Sequence, residues 1–212
     1  MFKVIHKRKT KHDVRFEMQQ IRTDRKREIL LLICMVSGLI LGIICMKGSY
    51  VWSEKLYTLW NNYLYVKEHQ TTISVYFTML CLHFLPLIGI YMIGLCAVGT
   101  PFLYLIPIGY GFVYGMLGAY MYADHMLKGI GYCALILYPG AALMGAVLIY
   151  ACSMSIAISV KLLKSLSPKG QAEMANLRSY SFNYLMLLVF AGAVSVLDVA
   201  MYRMFSAFFQ LS

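Results

Sequence analysis

GTPFLYLIPIGYGFVYGMLGAY, residues 99–120, sets five glycines and two prolines in an apolar, aromatic run. Its glycines read either as a loop that cradles a phosphate or as a surface that packs against another helix. That choice separates a nucleotide-using enzyme from a membrane bundle. A dinucleotide fingerprint needs GxGxxG between a strand and a helix, with an acidic residue about 20 positions further on. Here Gly109, Gly111 and Gly115 spell GxGxxxG inside a run long enough to cross a bilayer. No strand-like segment precedes it, and no glycine-lysine phosphate loop occurs in the chain. Gly111 and Gly115 are instead one helical turn apart, and Gly118 follows at the next. All three fall on nearly one face, where the missing side chains let a neighbouring backbone approach closely.

Composition favours the packing reading. Of the 212 residues, 60% are hydrophobic and 13% charged, and the mean hydropathy is +0.68. Such a chain cannot cover a water-soluble domain with polar surface, so the expected fold class is an all-α integral membrane protein. Five spans are expected, over residues 29–46, 73–96, 101–122, 130–160 and 182–201 of a transmembrane domain covering 29–205. The fourth is too long for one straight crossing and contains Pro139-Gly140, which predicts a kink. Between the second and third, only residues 97–100 are left for a turn, so Gly99 and Pro101 mark a tight hairpin. Residues 47–72 mix Trp52, Trp60 and several tyrosines with charges, the pattern of an extracytoplasmic loop with a short interfacial helix. Trp52 and Trp60 are the interfacial candidates for binding a partner.

The net charge of +10 is concentrated: ten of the nineteen Lys and Arg lie in residues 1–28. This basic arm runs straight into the first span, so it is expected to be cytoplasmic and to meet anionic lipid headgroups. It carries no nucleic-acid-binding module, and a nucleic-acid partner is not expected. With the amino terminus inside, the cytoplasmic segments hold fourteen basic residues and the outer ones five. That bias predicts an extracytoplasmic carboxyl terminus. The six cysteines all fall in apolar runs and never as CxxC, so neither a metal site nor a redox pair is expected.

The small residues of the fourth span, Gly140, Ala141, Ala142, Gly145 and Ala146, form a second surface that could receive Gly111, Gly115 and Gly118. Close packing of the third and fourth spans through these faces is the expectation.

The order of a Gly-x-Pro turn (Gly99, Pro101), the run into GFVYGMLGAY, a long span with Pro139-Gly140 and a last helix with an acidic residue resembles the stage II sporulation protein M family. The resemblance covers about residues 29–205 and is most specific over 94–120. It implies a small multi-pass protein of the bacterial cell membrane. It also implies a scaffold role, anchoring a lytic transglycosylase and an amidase-endopeptidase of the cell wall during engulfment of the forespore.

Two polar residues lie deep in apolar runs. Asp198 is costly to bury charged unless it is paired, hydrated or protonated. It reads either as a site on a partner or ion path, or as a structural bond to a Tyr, Ser or His of another helix. His83, three residues before Pro86, reads as a proton-relay residue or as a satisfied core histidine. No HExxH, GxSxG or close intramembrane carboxylate pair is present, so neither a catalytic residue nor a cofactor is expected. Two functions remain open: a non-catalytic scaffold for cell-wall hydrolases, and a small permease in which His83, Asp198 and the break at Pro139-Gly140 line a polar path.

Overall fold

The computed structural model describes residues 11–48, 54, 58, 71–165 and 177–205. Among them the regular structure is entirely helical: α1 Lys11–Gly48, α2 Thr72–Gly94, α3 Thr100–Tyr132, α4 Tyr138–Ser165 and α5 Leu177–Phe205. Five stretches are long and apolar enough to cross a membrane: Asp24–Met46, Thr72–Gly94, Thr100–Ala123, Met126–Leu163 and Leu177–Phe205. The chain is thus a multi-pass α-helical membrane protein. The fifth span starts five residues earlier than expected from hydropathy, because the helix carries Arg178, Ser179 and Ser181 before its apolar part. Trp52 and Trp60, with most of the expected interfacial helix, lie outside the described residues.

Contacts between helices fix their directions. Between α1 and α3 the facing positions rise together, Gly38 with Ile108 and Gly42 with Phe112, so these helices run parallel. Between α2 and α5 they run oppositely, His83 meeting Ser195 and Leu87 meeting Tyr184. Tyr110 meets Ala141 across Met126, so the chain reverses there. Met126 itself has φ 48° and ψ −122°, a conformation in which a non-glycine residue is rare. Each span therefore runs opposite to the one before it, as successive membrane crossings must.

Two further devices shape the bundle. The turn after α2 is closed by Cys96 N–H donating to Ile93 O (3.0 Å) and Gly99 N–H donating to Cys96 O (3.1 Å). Gly99 has an ordinary helical φ of −70°. What excludes a larger residue is space, because a Cβ there would overlap the Ile93 carbonyl. Pro101 follows in the first turn of α3, where its missing N–H leaves no acceptor unpaired. The tight turn is thus present, but the two arms lean elsewhere: α2 packs chiefly on α5 and α4, and α3 chiefly on α1.

The second device precedes Pro139, where Cys133–Leu137 form a π-helical turn that leads directly into α4. Proline cannot donate to the carbonyl four residues back, and a wider turn accommodates that loss. The main core lies where α2, α4 and α5 meet and includes Leu87, Ile90, Met144, Leu148, Ala151 and Ala191. Leu31 of α1 and Leu103 of α3 close it.

Candidate functional site

Gly111 and Gly115 do form a packing face, but it meets α1, not the fourth span. A Cβ on Gly111 would overlap the carbonyl oxygen of Met35, and one on Gly115 that of Leu39. The relation is reciprocal, since a Cβ on Gly38 would overlap Ile108 O and one on Gly42 would overlap Phe112 O. Two Gly-x-x-x-Gly turns of parallel helices therefore interlock backbone against backbone. Such contact gains dispersion and Cα–H···O interactions that lipid cannot replace. The expected match between the third and fourth spans fails because α1 occupies that face.

The small residues of the fourth span meet side chains instead, the Tyr110 ring of α3 among them, 3.6 Å from where a Cβ on Gly145 would stand. Gly140 leaves room for the Asp198 carboxylate, which a Cβ would overlap. Gly145 faces Met35 Sδ, 3.1 Å from where its Cβ would stand. Gly118 does touch the fourth span, at the first residue of α4, since a Cβ on it would overlap the Tyr138 hydroxyl. That contact is with a tyrosine and not with another small residue.

His83, Asp198 and Gly140 come together although they lie far apart in the chain. His83 is buried, with Nδ1 2.8 Å from Ser195 Oγ. Ser195 donates its single proton to the Ala191 carbonyl at 3.0 Å. With that bond made, its oxygen accepts from His83 in the tautomer that carries a proton on Nδ1. The other nitrogen, Nε2, lies 3.4 Å from Asp198 Oδ2. One proton between these two atoms can sit on either, giving a histidinium-carboxylate pair or a neutral histidine facing a carboxylic acid. Both forms avoid an isolated charge in a site where the Asp198 side chain is only 16% exposed. Ser195 and Asp198 are three apart on α5 and so share a face. Gly140 on α4 closes the third side.

Elsewhere in the bundle other hydroxyls join helices in the same way. Tyr110 of α3 donates to Ala141 O of α4 at 3.0 Å, one residue from Gly140, and its ring lies 4.7 Å from that of Tyr114. Tyr184 of α5 donates to Leu87 O of α2 at 2.9 Å. Tyr180 and Ser155 pair at 2.8 Å between α5 and α4, and Ser159 of α4 donates to Cys96 O in the turn after α2 at 2.8 Å. Tyr91 stacks on Tyr180 with ring centroids 5.2 Å apart.

Ser195, Tyr110, Ser155, Ser159 and Tyr184 were not singled out by sequence reasoning. Single serines and tyrosines are common in spans, and only Ser195 carries a local signal, its spacing from Asp198. The six cysteines are free thiols, and among the described residues no group of His, Cys, Asp and Glu gathers as a metal site would.

No model of a known protein family matches the chain, and neither a curated protein nor a solved structure shows significant similarity to it.

Proposed function

We propose that the chain is a non-catalytic scaffold of the bacterial cell membrane, of the stage II sporulation protein M type, that holds cell-wall hydrolases during engulfment. Its amino terminus is cytoplasmic and its carboxyl terminus extracytoplasmic, in line with the basic bias. In this reading the fourth span is kinked at Pro139-Gly140, and Trp52 and Trp60, which lie outside the described residues, are the candidates for binding partners. The observation that carries this reading is how the buried polar groups are used. His83, Ser195, Asp198, Tyr184, Ser155 and Ser159 bond one helix to another inside the bundle. Polar chemistry that makes a bundle cohere suits a protein whose work is done on its outer surfaces. Crosslinking of the full chain in its native membrane, followed by mass spectrometry, should recover peptidoglycan hydrolases. Recovery of solute-binding proteins or transport ATPases in their place would refute the proposal.

A second reading is a small permease or a subunit of one, and one observation favours it. The His83–Asp198 pair, its histidine buried and its acid half-buried, lies against Gly140, next to Pro139 and the π-helical turn. Ionisable residues paired at a helix irregularity are a common basis of proton and ion paths. Solute or proton flux in liposomes that Asp198→Asn abolishes, with the fold retained, would establish this reading.

A further inference from the structure

Residues 11–28 of the basic arm are not an independent tail, because α1 is one uninterrupted helix over Lys11–Gly48 that carries them straight into the first span. At 1.5 Å per residue, Lys11 stands about 27 Å along the axis from Ile29, roughly three screening lengths at physiological salt. The outer turns of this helix are thus too far from the first apolar residue to be governed by lipid headgroups.

Four of the six basic residues and all four acids of residues 11–28 are sorted; Arg25 falls on the apolar line and Arg27 beside the acids, where it pairs with Asp24. At about 100° per residue, Lys11, Arg15, Arg22 and Lys26 fall within about 60° of one another. Asp13, Glu17, Asp24 and Glu28 fall within another arc of about 60°, most of the way round the helix. Between the two arcs run Val14, Met18 and Ile21, spaced four and then three residues apart. An apolar line with acids along one flank and bases along the other is the pattern of a two-stranded coiled coil. With Met18 at position a and Val14 and Ile21 at d, Arg15 and Arg22 take e, and Glu17 and Asp24 take g.

We propose that this extension pairs with the same segment of a second copy as a short parallel coiled coil next to the membrane. The two-fold axis of such a pair brings the acidic flank of each helix onto the basic flank of the other. Position g meets the following e across the interface, so Glu17 lies opposite the partner subunit's Arg22, twice by symmetry. Arg25 takes the next seam position, where a charged residue lowers stability and favours a defined register.

Two heptads are short, but both strands emerge from spans held in one membrane plane, which raises their effective concentration. In the same frame the seam enters the bilayer at Leu32 and then reaches Met35, Leu39 and Gly42, which α1 turns to α3. The pairing is therefore confined to the extension, ahead of the face that α1 packs on α3, which carries Met35, Gly38, Leu39 and Gly42. The two contacts lie at different heights along α1, so both are made at once. The first span is also the least buried of the five, at 17%.

Charge swapping in the full-length protein tests this. Chains bearing donor or acceptor fluorophores at the amino terminus are reconstituted in neutral phosphatidylcholine vesicles, and energy transfer reports association. Wild-type chains should associate. Glu17→Arg and Arg22→Glu should each weaken association roughly fivefold or more, since two attractive pairs become repulsive. The double variant Glu17→Arg/Arg22→Glu, which restores complementarity, should recover to within about twofold of wild type. A double variant no better than the singles overturns the proposal, as does wild-type protein that stays monomeric. So does a dependence on net charge alone, with Glu17→Arg stronger and Arg22→Glu weaker only when anionic lipid is present. That last outcome makes the arm a lipid-binding element.

Discussion

The α1–α3 seam and the centre around His83 join helices by opposite means. In the seam, Gly38, Gly42, Gly111 and Gly115 remove side chains so that backbone meets backbone. At the centre, His83, Ser195 and Asp198 add polar groups that hold one another at 2.8–3.4 Å. The seam depends on shape alone and tolerates no added atom. The centre depends on pairing and is harmed most by removing one partner. Gly140 belongs to both kinds, because the room it leaves is filled by a carboxylate.

The largest effect is expected in the seam. Gly115→Leu must drive α3 away from the Leu39 carbonyl, and the cost should reach about 3 kcal/mol. The measurement is the yield of monodisperse protein in detergent, with Gly109→Ala as the control. A Cβ at Gly109 meets nothing within 4 Å, so this variant should be as stable as wild type or gain up to about 1 kcal/mol of helix propensity. Equal behaviour of the two variants would erase the distinction between packed and open glycines.

Next comes the polar centre. His83→Ala leaves the carboxylate without its ring, and Asp198→Ala leaves Nε2 without its acid. Each should lower the unfolding free energy by about 2 kcal/mol. Gly140→Ala should fall in the same range by pushing the carboxylate aside, although it removes no polar group. If Gly140→Ala unfolds like wild type in denaturant titrations, Asp198 does not need the space Gly140 leaves. The smallest effect is expected from Tyr184→Phe, which removes only the bond to Leu87 O and should cost about 1 kcal/mol. A thermal melt indistinguishable from wild type would mean that this bond is replaced.

Much of the fold was legible in the sequence, since spans are set by local hydropathy. The spans lie within a few residues of where the apolar runs predict them, except that the first opens at Asp24, the fourth at Met126 and the fifth at Leu177. Spacing also identified Gly111 and Gly115 as a helix-contact face. It did not identify the partner, because any small-residue face fits another equally well until the bundle is assembled. GLILG at residues 38–42 carries the same four-residue spacing and was the available clue. The meeting of His83 with Asp198, 115 positions apart in the chain, has no local signature; it follows from the antiparallel register of α2 on α5.

The most direct measurement is a double-mutant cycle on the full-length protein in bicelles, with His83→Ala, Asp198→Ala and the combined variant unfolded reversibly. If the pair serves to hold α2 to α5, the two losses should be strongly non-additive, with a coupling of about 1–3 kcal/mol. Additive losses, with α2 and α5 equally stable whether or not both residues are present, would contradict a cohesive role and leave the pair to a transport path.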